Sequence, residues 1–160
     1  MSAPGITRQA VIGRLALSAA VIFLIDRLSK WLVVEVMDLE RLLRIDVLPP
    51  FLNFVMAWNT GINFGLGAGG PESMRWLLVA VALAFSAGLV VWMLYRRDPW
   101  LATAAGVVIG GAIGNSWDRV QYGAVADFLN MSCCGIQNPY AFNIADVAIF
   151  AGAIWLAWKA

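Results

Sequence analysis

The sequence predicts an integral membrane protein that is mainly α-helical, with four transmembrane helices and a small extracytoplasmic β-sheet between helices 1 and 2. Of the 160 residues, 61% are hydrophobic and 13% are charged, whereas an average soluble domain carries roughly 25% charged residues. The mean hydropathy is +0.77, and four apolar stretches approach the ~20 residues that a helix needs to cross the hydrocarbon core. The length fits a single membrane-embedded domain, residues 1–160.

The four predicted transmembrane helices are bounded by charged residues to different degrees. Their approximate bounds are 11–34, 76–95, 99–118 and 142–158, and an extracytoplasmic segment of about 35–75 follows the first. The second is an uncharged run between Arg75 and Arg96, and the third ends at Asp118. The first resembles the apolar core of a signal peptide, but no small-residue cleavage site follows it, so we expect an uncleaved helix.

Basic residues predict how these helices are oriented in the membrane. Arg8 and Arg14 lie near the start of the first helix, and Arg96 and Arg97 lie between the second and the third. Lys159 follows the fourth. With four helices these positions share one side, which the positive-inside rule identifies as cytoplasmic. Both termini are therefore predicted to be cytoplasmic, and residues 35–75 and 119–141 to be extracytoplasmic.

The extracytoplasmic segment contains a stretch without a helical pattern. Pro49 and Pro50 open it, residues 51–58 have the composition of a strand, and residues 59–65 supply turn residues. Its apolar and aromatic content predicts a small sheet on the membrane surface, able to cradle an extended peptide. An ordinary hairpin that covers the helix ends fits the same composition, so both interpretations stay open.

Strongly polar residues collect near the extracytoplasmic ends of the predicted helices. They include three motifs that contain aspartate, namely Asn115-Ser116-Trp117-Asp118-Arg119, Val125-Ala126-Asp127-Phe128 and Phe142-Asn143-Ile144-Ala145-Asp146. Ionisable groups at membrane depth are costly and mostly persist where they have a function. Carboxylates gathered at one depth therefore indicate a site for acid–base chemistry.

Helical spacing indicates which of these side chains share a face. The pairs at spacings of three or four are Asp26 with Lys30, Asn115 with Asp118, and Asn143 with Asp146. The first of these is expected to be an ion pair. Gly106, Gly110 and Gly114 also repeat every four residues, and such a row lets helices approach closely. The row predicts packing that brings Asp118 near a neighbouring helix.

The residue types present limit the chemistry of such a site. The sequence contains no histidine, which excludes Ser-His-Asp and Cys-His catalysis and the usual histidine-based zinc sites. Two aspartates that share a proton can hydrolyse a peptide bond, because the ionised one activates water and the protonated one acts as the acid. Alternatively, Asp118 and Asp146 only cap helix ends or pair with Arg119 and Lys30. Spacing alone leaves both interpretations open.

Five ordered motifs make the sequence similar to the lipoprotein signal peptidases, also called signal peptidase II, which are bacterial intramembrane aspartic peptidases. The motifs are Asp26 with Lys30, Asn59-x-Gly61 followed by Phe64-Gly65, Gly114-Asn115-x-x-Asp118-Arg119, Gly123-x-Val125-x-Asp127-Phe128, and Phe142-Asn143-x-Ala145-Asp146. The resemblance extends over nearly the whole chain, and the set is far more specific than any single short pattern.

The resemblance implies cleavage of prolipoproteins directly before a diacylglyceryl-modified cysteine, with Asp127 and Asp146 as the catalytic pair. The positions that it ties to substrate binding or to support of this pair are Asn59, Gly61, Asn115, Asp118, Arg119, Asn143 and Ala145, and it implies a structural ion pair of Asp26 and Lys30. We expect both asparagines, Asn115 and Asn143, to hydrogen-bond near the catalytic pair or the substrate, and Asp118 to pair with Arg119.

The resemblance also implies partners and a location. The implied partners are the diacylglyceryl-prolipoprotein, membrane lipid and the peptide inhibitor globomycin, with no nucleic acid, no metal and no other cofactor. The implied location is the bacterial inner membrane, with the active site toward the extracytoplasmic side. Asn63 stands where relatives often have a small residue, which leaves the fit of the substrate open. The adjacent Cys133 and Cys134 receive no role and are interpreted as structural or incidental.

Two other functions use the same carboxylates. A small proton-coupled transporter would place them at several depths along a pathway, whereas helices 2 and 3 carry none through their cores. An inverted repeat, which would favour transport, is not found. A metal hydrolase with Asp and Asn ligands would bind Mg or Mn rather than Zn, and activity that survives a chelator would exclude it.

Overall fold

A computed structural model describes residues 7–61 and 70–159 of the chain. In chain order the elements are α1 (Arg8–Lys30), a π-helical turn (Trp31–Val36), α2 (Leu39–Leu42), β1 (Arg44–Leu48), β2 (Leu52–Asn59), α3 (Gly70–Arg96), α4 (Pro99–Tyr122), β3 (Val125–Asn130) and α5 (Ile144–Lys159). Part of the predicted turn after β2, including Asn63, Phe64 and Gly65, lies outside the described residues.

The four predicted apolar helices are present as α1, α3, α4 and α5, with bounds that differ by a few residues. The start of α4 is fixed by Asp98, whose carboxylate accepts two backbone N–H groups of the first turn at 2.8 and 2.9 Å. Its end lies at Tyr122, one turn beyond the predicted end, because Gly123 is the first residue with a left-handed backbone, at φ +81°. Asp118 and Arg119 therefore lie inside the last turns of a helix.

Helix α4 packs against α1, α3 and α5. A Cβ atom at Gly106 would lie 2.6 Å from the Leu15 carbonyl oxygen of α1, and one at Gly110 would lie 2.5 Å from that of Ala19. Side chains larger than glycine would push the two helices apart. The glycine row therefore has the packing role predicted from its spacing.

The sheet has three antiparallel strands in the order β1-β2-β3. Strand β2 confirms the strand predicted at 51–58, but β3 was not predicted. Asp127, which falls in the predicted extracytoplasmic connection of residues 119–141, lies in β3, opposite Ala57 of β2. The sheet is therefore not confined to the segment between the first two long helices. Residues of β3 are almost all buried and do not alternate, so its strand character depends on pairing with the distant β2.

Large apolar side chains are exposed on the outer faces of the long helices, among them Leu17 at 69% and Phe150 at 72%. Extensive apolar exposure of this kind marks contact with another apolar surface or with lipid. Among the described residues, one helix, Glu72–Arg96, is long and apolar enough to cross a membrane, with 25 residues and a mean hydropathy of 2.5. Membrane crossing by α1, α4 and α5 stays a prediction.

Candidate active site

Asp127 is buried in β3 and is held by two side-chain amides. Asn59, the last residue of β2, donates from Nδ2 to Asp127 Oδ2 at 3.1 Å. Asn143, just before α5, donates from Nδ2 to Asp127 Oδ1 at 2.6 Å. Each carboxylate oxygen thus receives one amide donor, which fixes the orientation of the group.

Asp146 lies in the first turn of α5 and exchanges two hydrogen bonds with Asn143. The Asp146 N–H donates to Asn143 Oδ1 at 2.9 Å, and the Asn143 N–H donates to Asp146 Oδ2 at 3.2 Å. This reciprocal arrangement is a capping box, which satisfies N–H groups that have no partner within the helix. Asp146 is therefore a helix-capping residue, as one interpretation of the sequence held, and its Oδ1 remains free for other contacts.

Two asparagines connect the two aspartates. Asn115 of α4 donates from Nδ2 to Asp146 Oδ1 at 2.8 Å. Its own Oδ1 accepts from Asn143 Nδ2 at 3.1 Å. A continuous chain of hydrogen bonds thus runs from Asp127 through Asn143 and Asn115 to Asp146. Both asparagines contact the aspartates, as expected from the sequence.

Gly61 orients the amide of Asn59. The Gly61 N–H donates to Asn59 Oδ1 at 2.9 Å, which leaves the Nδ2 group directed at Asp127. The φ angle of Gly61 is +94°, and a Cβ atom there would lie 2.5 Å from Leu78 Cδ1. A residue with a side chain would therefore meet both backbone strain and a steric clash at this position.

The environment of Asp127 favours its protonated form. The pKa of Asp127 is raised to about 6, mainly by burial and also by the neighbouring Asp146 carboxylate. The amides of Asn59 and Asn143 and the charge of Lys30 oppose this shift. Two carboxylates that repel each other in this way share one proton as a coupled pair. The arrangement is therefore suited to acid–base chemistry.

Arg119 does not form the predicted pair with Asp118. Its Nη1 donates to the Asn115 backbone carbonyl at 3.3 Å, and within residues 7–61 and 70–159 its buried Nε has no hydrogen-bond partner. Its charge interacts electrostatically with Asp146 and Asp127. The expected pair is wrong because Asp118 points toward α1 instead, where two cations bind it.

A buried ion cluster lies beside the two aspartates. It consists of Asp26, Arg27, Lys30 and Asp118, and we call these four residues the ion cluster. Lys30 Nζ contacts Asp26 Oδ2 at 3.0 Å and Asp118 Oδ2 at 2.6 Å. Arg27 Nη2 contacts Asp26 Oδ2 at 2.8 Å and Asp118 Oδ1 at 2.6 Å. The predicted Asp26–Lys30 ion pair is confirmed, but it is half of a larger network.

Two residues near the site were missed by sequence reasoning. Arg27 is adjacent to Asp26, and neighbouring positions on a helix do not face each other, so no spacing pointed to it. Ala126 acts through its backbone N–H, which carries no signal in the side chain. Ala145, which was predicted, likewise contributes a backbone N–H, donated to Asp26 Oδ1 at 3.1 Å. Cys133 and Cys134 are exposed free thiols in the connection from β3 to α5.

Comparison with known proteins places this geometry in context. Residues 18–160 match the model of the family Peptidase_A8, described as signal peptidase (SPase) II. A lipoprotein signal peptidase of Methylorubrum extorquens is 48% identical over 109 residues, which cover 68% of this chain and 63% of that relative. One of Pseudomonas syringae pv. tomato is 41% identical over 153 residues, or 91% of this chain and 86% of that relative.

Solved structures agree with this similarity. A structure described as a bacterial membrane enzyme, determined by the in meso method at 1.9 Å resolution, has a TM-score of 0.78 at 26% identity and covers 92% of both chains. A second with the same description, at 2.3 Å resolution, has a TM-score of 0.72 and covers 92% of this chain and 87% of the other.

Proposed function

The chain belongs to the signal peptidase II family, so it is an aspartic peptidase that removes signal peptides from prolipoproteins, and we propose that Asp127 and Asp146 form its catalytic dyad. The observation that carries this assignment is the chain of hydrogen bonds that joins the two carboxylates through Asn143 and Asn115. Family membership leaves the transporter alternative without support.

In the proposed mechanism one carboxylate of the dyad is ionised and the other is protonated. The ionised carboxylate takes a proton from water as the water oxygen attacks the scissile carbonyl carbon, and the protonated carboxylate donates to the carbonyl oxygen. When the tetrahedral intermediate collapses, the C–N bond breaks and the proton held by the first carboxylate leaves with the amine. The second carboxylate takes back a proton from a hydroxyl of the intermediate as the carbonyl re-forms, which restores the dyad. The raised pKa of Asp127, about 6, supports a shared proton, and substrate that excludes water would raise this pKa further.

Residues around the dyad receive supporting roles. Asn59, with Gly61, and Asn143 orient the Asp127 carboxylate, and Asn115 orients that of Asp146. We assign Arg119 to substrate binding, because its buried Nε lacks a partner within the described residues and its charge lies near both aspartates. A guanidinium in this position can donate to a backbone carbonyl of an extended peptide.

The proposed membrane arrangement has four spanning helices, α1, α3, α4 and α5, with both termini cytoplasmic. The residues of the site come from the C-terminal ends of α1 and α4 and the N-terminal end of α5, which would lie at one membrane face in an alternating bundle. The distribution of basic residues makes that face extracytoplasmic. We propose the bacterial inner membrane as the location.

The proposed substrate is a diacylglyceryl-modified prolipoprotein that is cut directly before the lipidated cysteine. An apolar groove of about 520 Å3 begins at Asp146 and continues along α5; its other lining residues are Phe142, Val147, Phe150, Ala151 and Ile154. An acyl chain of the substrate fits the chemistry of this groove, while the sheet holds the flanking peptide. Globomycin, as a peptide that resembles the substrate, would occupy the same region.

The decisive experiment measures cleavage of a diacylglyceryl-modified prolipoprotein by the purified full chain in the presence of a chelator. Wild type should cleave, whereas Asp127→Asn and Asp146→Asn should lose roughly 10²- to 10⁴-fold or more of the rate, as expected when an acid–base group is removed. Asp98→Asn is the matched control, because asparagine caps a helix as well as aspartate does and position 98 lies at the opposite end of α4.

Four results would change the proposal. Wild-type activity in either dyad variant would show that the dyad is misassigned, with Asp118 as the next candidate. Inhibition by the chelator would favour the metal hydrolase. Equal cleavage of a precursor without the diacylglyceryl group would remove the lipid from the proposed substrate, and a lack of inhibition by globomycin would remove that partner.

A further inference from the structure

The ion cluster is connected to the dyad through two backbone amides. In β3, the Ala126 N–H donates to Asp118 Oδ2 at 3.2 Å. In the first turn of α5, the Ala145 N–H donates to Asp26 Oδ1 at 3.1 Å. Each alanine directly precedes an aspartate of the dyad, so each catalytic residue is attached to an amide that a cluster carboxylate holds.

These two amides tie β3 and α5 to the ion cluster, in addition to the side-chain amides that join Asp127 and Asp146. Ala145 is the second residue of α5, and N–H groups in the first turn of a helix have no partner within it. The Asp26 carboxylate of α1 supplies that partner. Its negative charge is also favoured by the partial positive charge at the N-terminus of α5. Asp26 therefore ties the start of α5 directly to α1.

The two cations determine how the carboxylates present their oxygens. Lys30 contacts the Oδ2 atoms of both Asp26 and Asp118, at 3.0 and 2.6 Å. Among the described residues, Arg27 is the one cation that contacts Asp118 Oδ1, at 2.6 Å. The contact of Arg27 with Oδ1 is an ion pair without hydrogen-bond geometry. Together with Lys30 at Oδ2 it favours the orientation in which Oδ2 faces the Ala126 N–H.

Burial makes this geometry stiff. Asp26 and Asp118 are fully inaccessible to solvent, and the side chain of Arg27 is 19% exposed. Ion pairs at such depth contribute little net stability against an apolar replacement, but they fix how the elements that they join fit together. A Cβ atom at Gly114 would lie 2.8 Å from Asp26 Oδ2, so α4 approaches Asp26 closely at this point.

We infer that the ion cluster, completed by Arg27, positions Asp127 and Asp146 relative to each other through the backbone amides that precede them. The inference rests on the proposed function, since it assumes that these two aspartates perform the chemistry. Arg27 is then a positioning residue that does not touch the substrate. A displacement of about 1 Å between reacting groups costs on the order of 10²-fold in rate.

The test compares Arg27→Gln and Arg27→Lys with Arg14→Gln in the prolipoprotein cleavage assay. Arg14 is an exposed arginine at the other end of α1, so its variant is the matched control. Arg27→Gln should lower kcat by roughly 10- to 100-fold with KM unchanged. Arg27→Lys, which restores the charge, should recover part of that loss, and the control should match wild type.

Amide hydrogen exchange of the same full-length variants provides a second readout. In Arg27→Gln, exchange should accelerate at Ala126 and Ala145, while Ala112 in the buried middle of α4 keeps its protection. If the role of Arg27 were merely to stabilise the fold, protection would fall across α4 and β3 together. Should Arg27→Gln not fold, Arg27→Lys should show the same local pattern with smaller amplitude.

Two outcomes would overturn the inference. One is an unchanged kcat with unchanged exchange at both alanines. The other is a uniform loss of protection with a rate that falls only as the folded fraction falls. Failure of the proposed function would be seen separately, as retained activity in Asp127→Asn measured in the same assay.

Discussion

Asn143 donates to Asp127 Oδ1 at 2.6 Å, although the two residues lie sixteen positions apart, one before a helix and the other in a strand. Asn143 is fully buried, and its Oδ1 accepts the Asp146 N–H of the first turn of α5 at 2.9 Å. One side chain therefore starts a helix and orients the Asp127 carboxylate. Because the two tasks use different atoms, substitution can separate them.

Asn143→Asp should keep the helix and lose the activity. Aspartate caps a helix as well as asparagine does, but it places a third carboxylate against Asp127 where an amide donated before. We expect kcat to fall by about 100-fold or more through like-charge repulsion within the site, with a Tm within a few degrees of wild type. Unchanged kcat would contradict the assigned role. The control is Asp98→Asn, which replaces aspartate by asparagine at the N-cap of α4, far from the site.

Activity should decrease as the pH rises above about 6. The pKa of Asp127 is raised to about 6 by burial and by the charge of Asp146, so this value describes loss of the last proton from the pair. Above it both carboxylates are ionised and the acid of the mechanism is absent. A profile of kcat/KM against pH should show this basic limb within about one unit of 6, and a flat profile between pH 5 and 9 would contradict it.

Stability should also depend on the protonation of Asp127. Since its folded pKa of about 6 exceeds the ordinary value of 3.8, the folded state binds the proton more tightly, and this contribution is complete below pH 3.8 and lost as pH rises through 6. The loss amounts to roughly 3 kcal/mol at most. Asp127→Asn should therefore gain stability relative to wild type between pH 4 and 7. A constant difference in unfolding free energy over that range would contradict the assignment.

Gly61→Ala should reduce activity more than its backbone strain explains. The new Cβ atom would lie 2.5 Å from Leu78 Cδ1 at the end of a flexible side chain, and the φ of +94° disfavours any side chain. We therefore expect the strained backbone to shift the Gly61 amide that orients Asn59. Gly135→Ala is the matched control, because Gly135 has a similar φ of +80° but no neighbour within 4 Å. Both variants should lose roughly 1–2 kcal/mol of stability, whereas kcat should fall in Gly61→Ala alone. Equal kcat values would count against this role.

Gly114→Ala should weaken the contact between α4 and α1 at the ion cluster. Its Cβ atom would lie 2.8 Å from Asp26 Oδ2, whereas a Cβ atom at Gly88 in α3 would meet nothing within 4 Å. We expect Gly114→Ala to destabilise the protein by about 1–3 kcal/mol through overpacking. Gly88→Ala should be neutral or stabilising by up to about 1 kcal/mol, because alanine is the better helix former. Comparable unfolding curves for the two variants would contradict the close packing.

Features encoded locally could be predicted from the sequence. Apolar run length located the four long helices, and a spacing of four identified both the Asp26–Lys30 ion pair and the glycine row that packs against α1. These patterns depend on neighbours within one or two helical turns. The motif resemblance implied Asp127 and Asp146 as the catalytic pair, whereas spacing alone left capping or ion pairing open for Asp118 and Asp146.

Features that depend on distant parts of the chain could not be predicted. β3 is a strand because β2 pairs with it, although the whole of α3 and α4 separates the two. Arg27 and Asp118 meet only because the glycine row brings α1 against α4, so a pair between neighbours, Asp118 and Arg119, was expected instead. The backbone donor Ala126 carries no signal in its side chain, whereas Ala145 was identified through the motif resemblance.

The order of the strands has a consequence for biosynthesis. A ribosome releases β2 before α3 and α4 exist, and it releases β3 and Asp146 only near the end of the chain. Since chains emerge from their N-terminus, the strand that pairs with β3 is made long before β3 itself. The proposed dyad is therefore incomplete until the start of α5 has been synthesised.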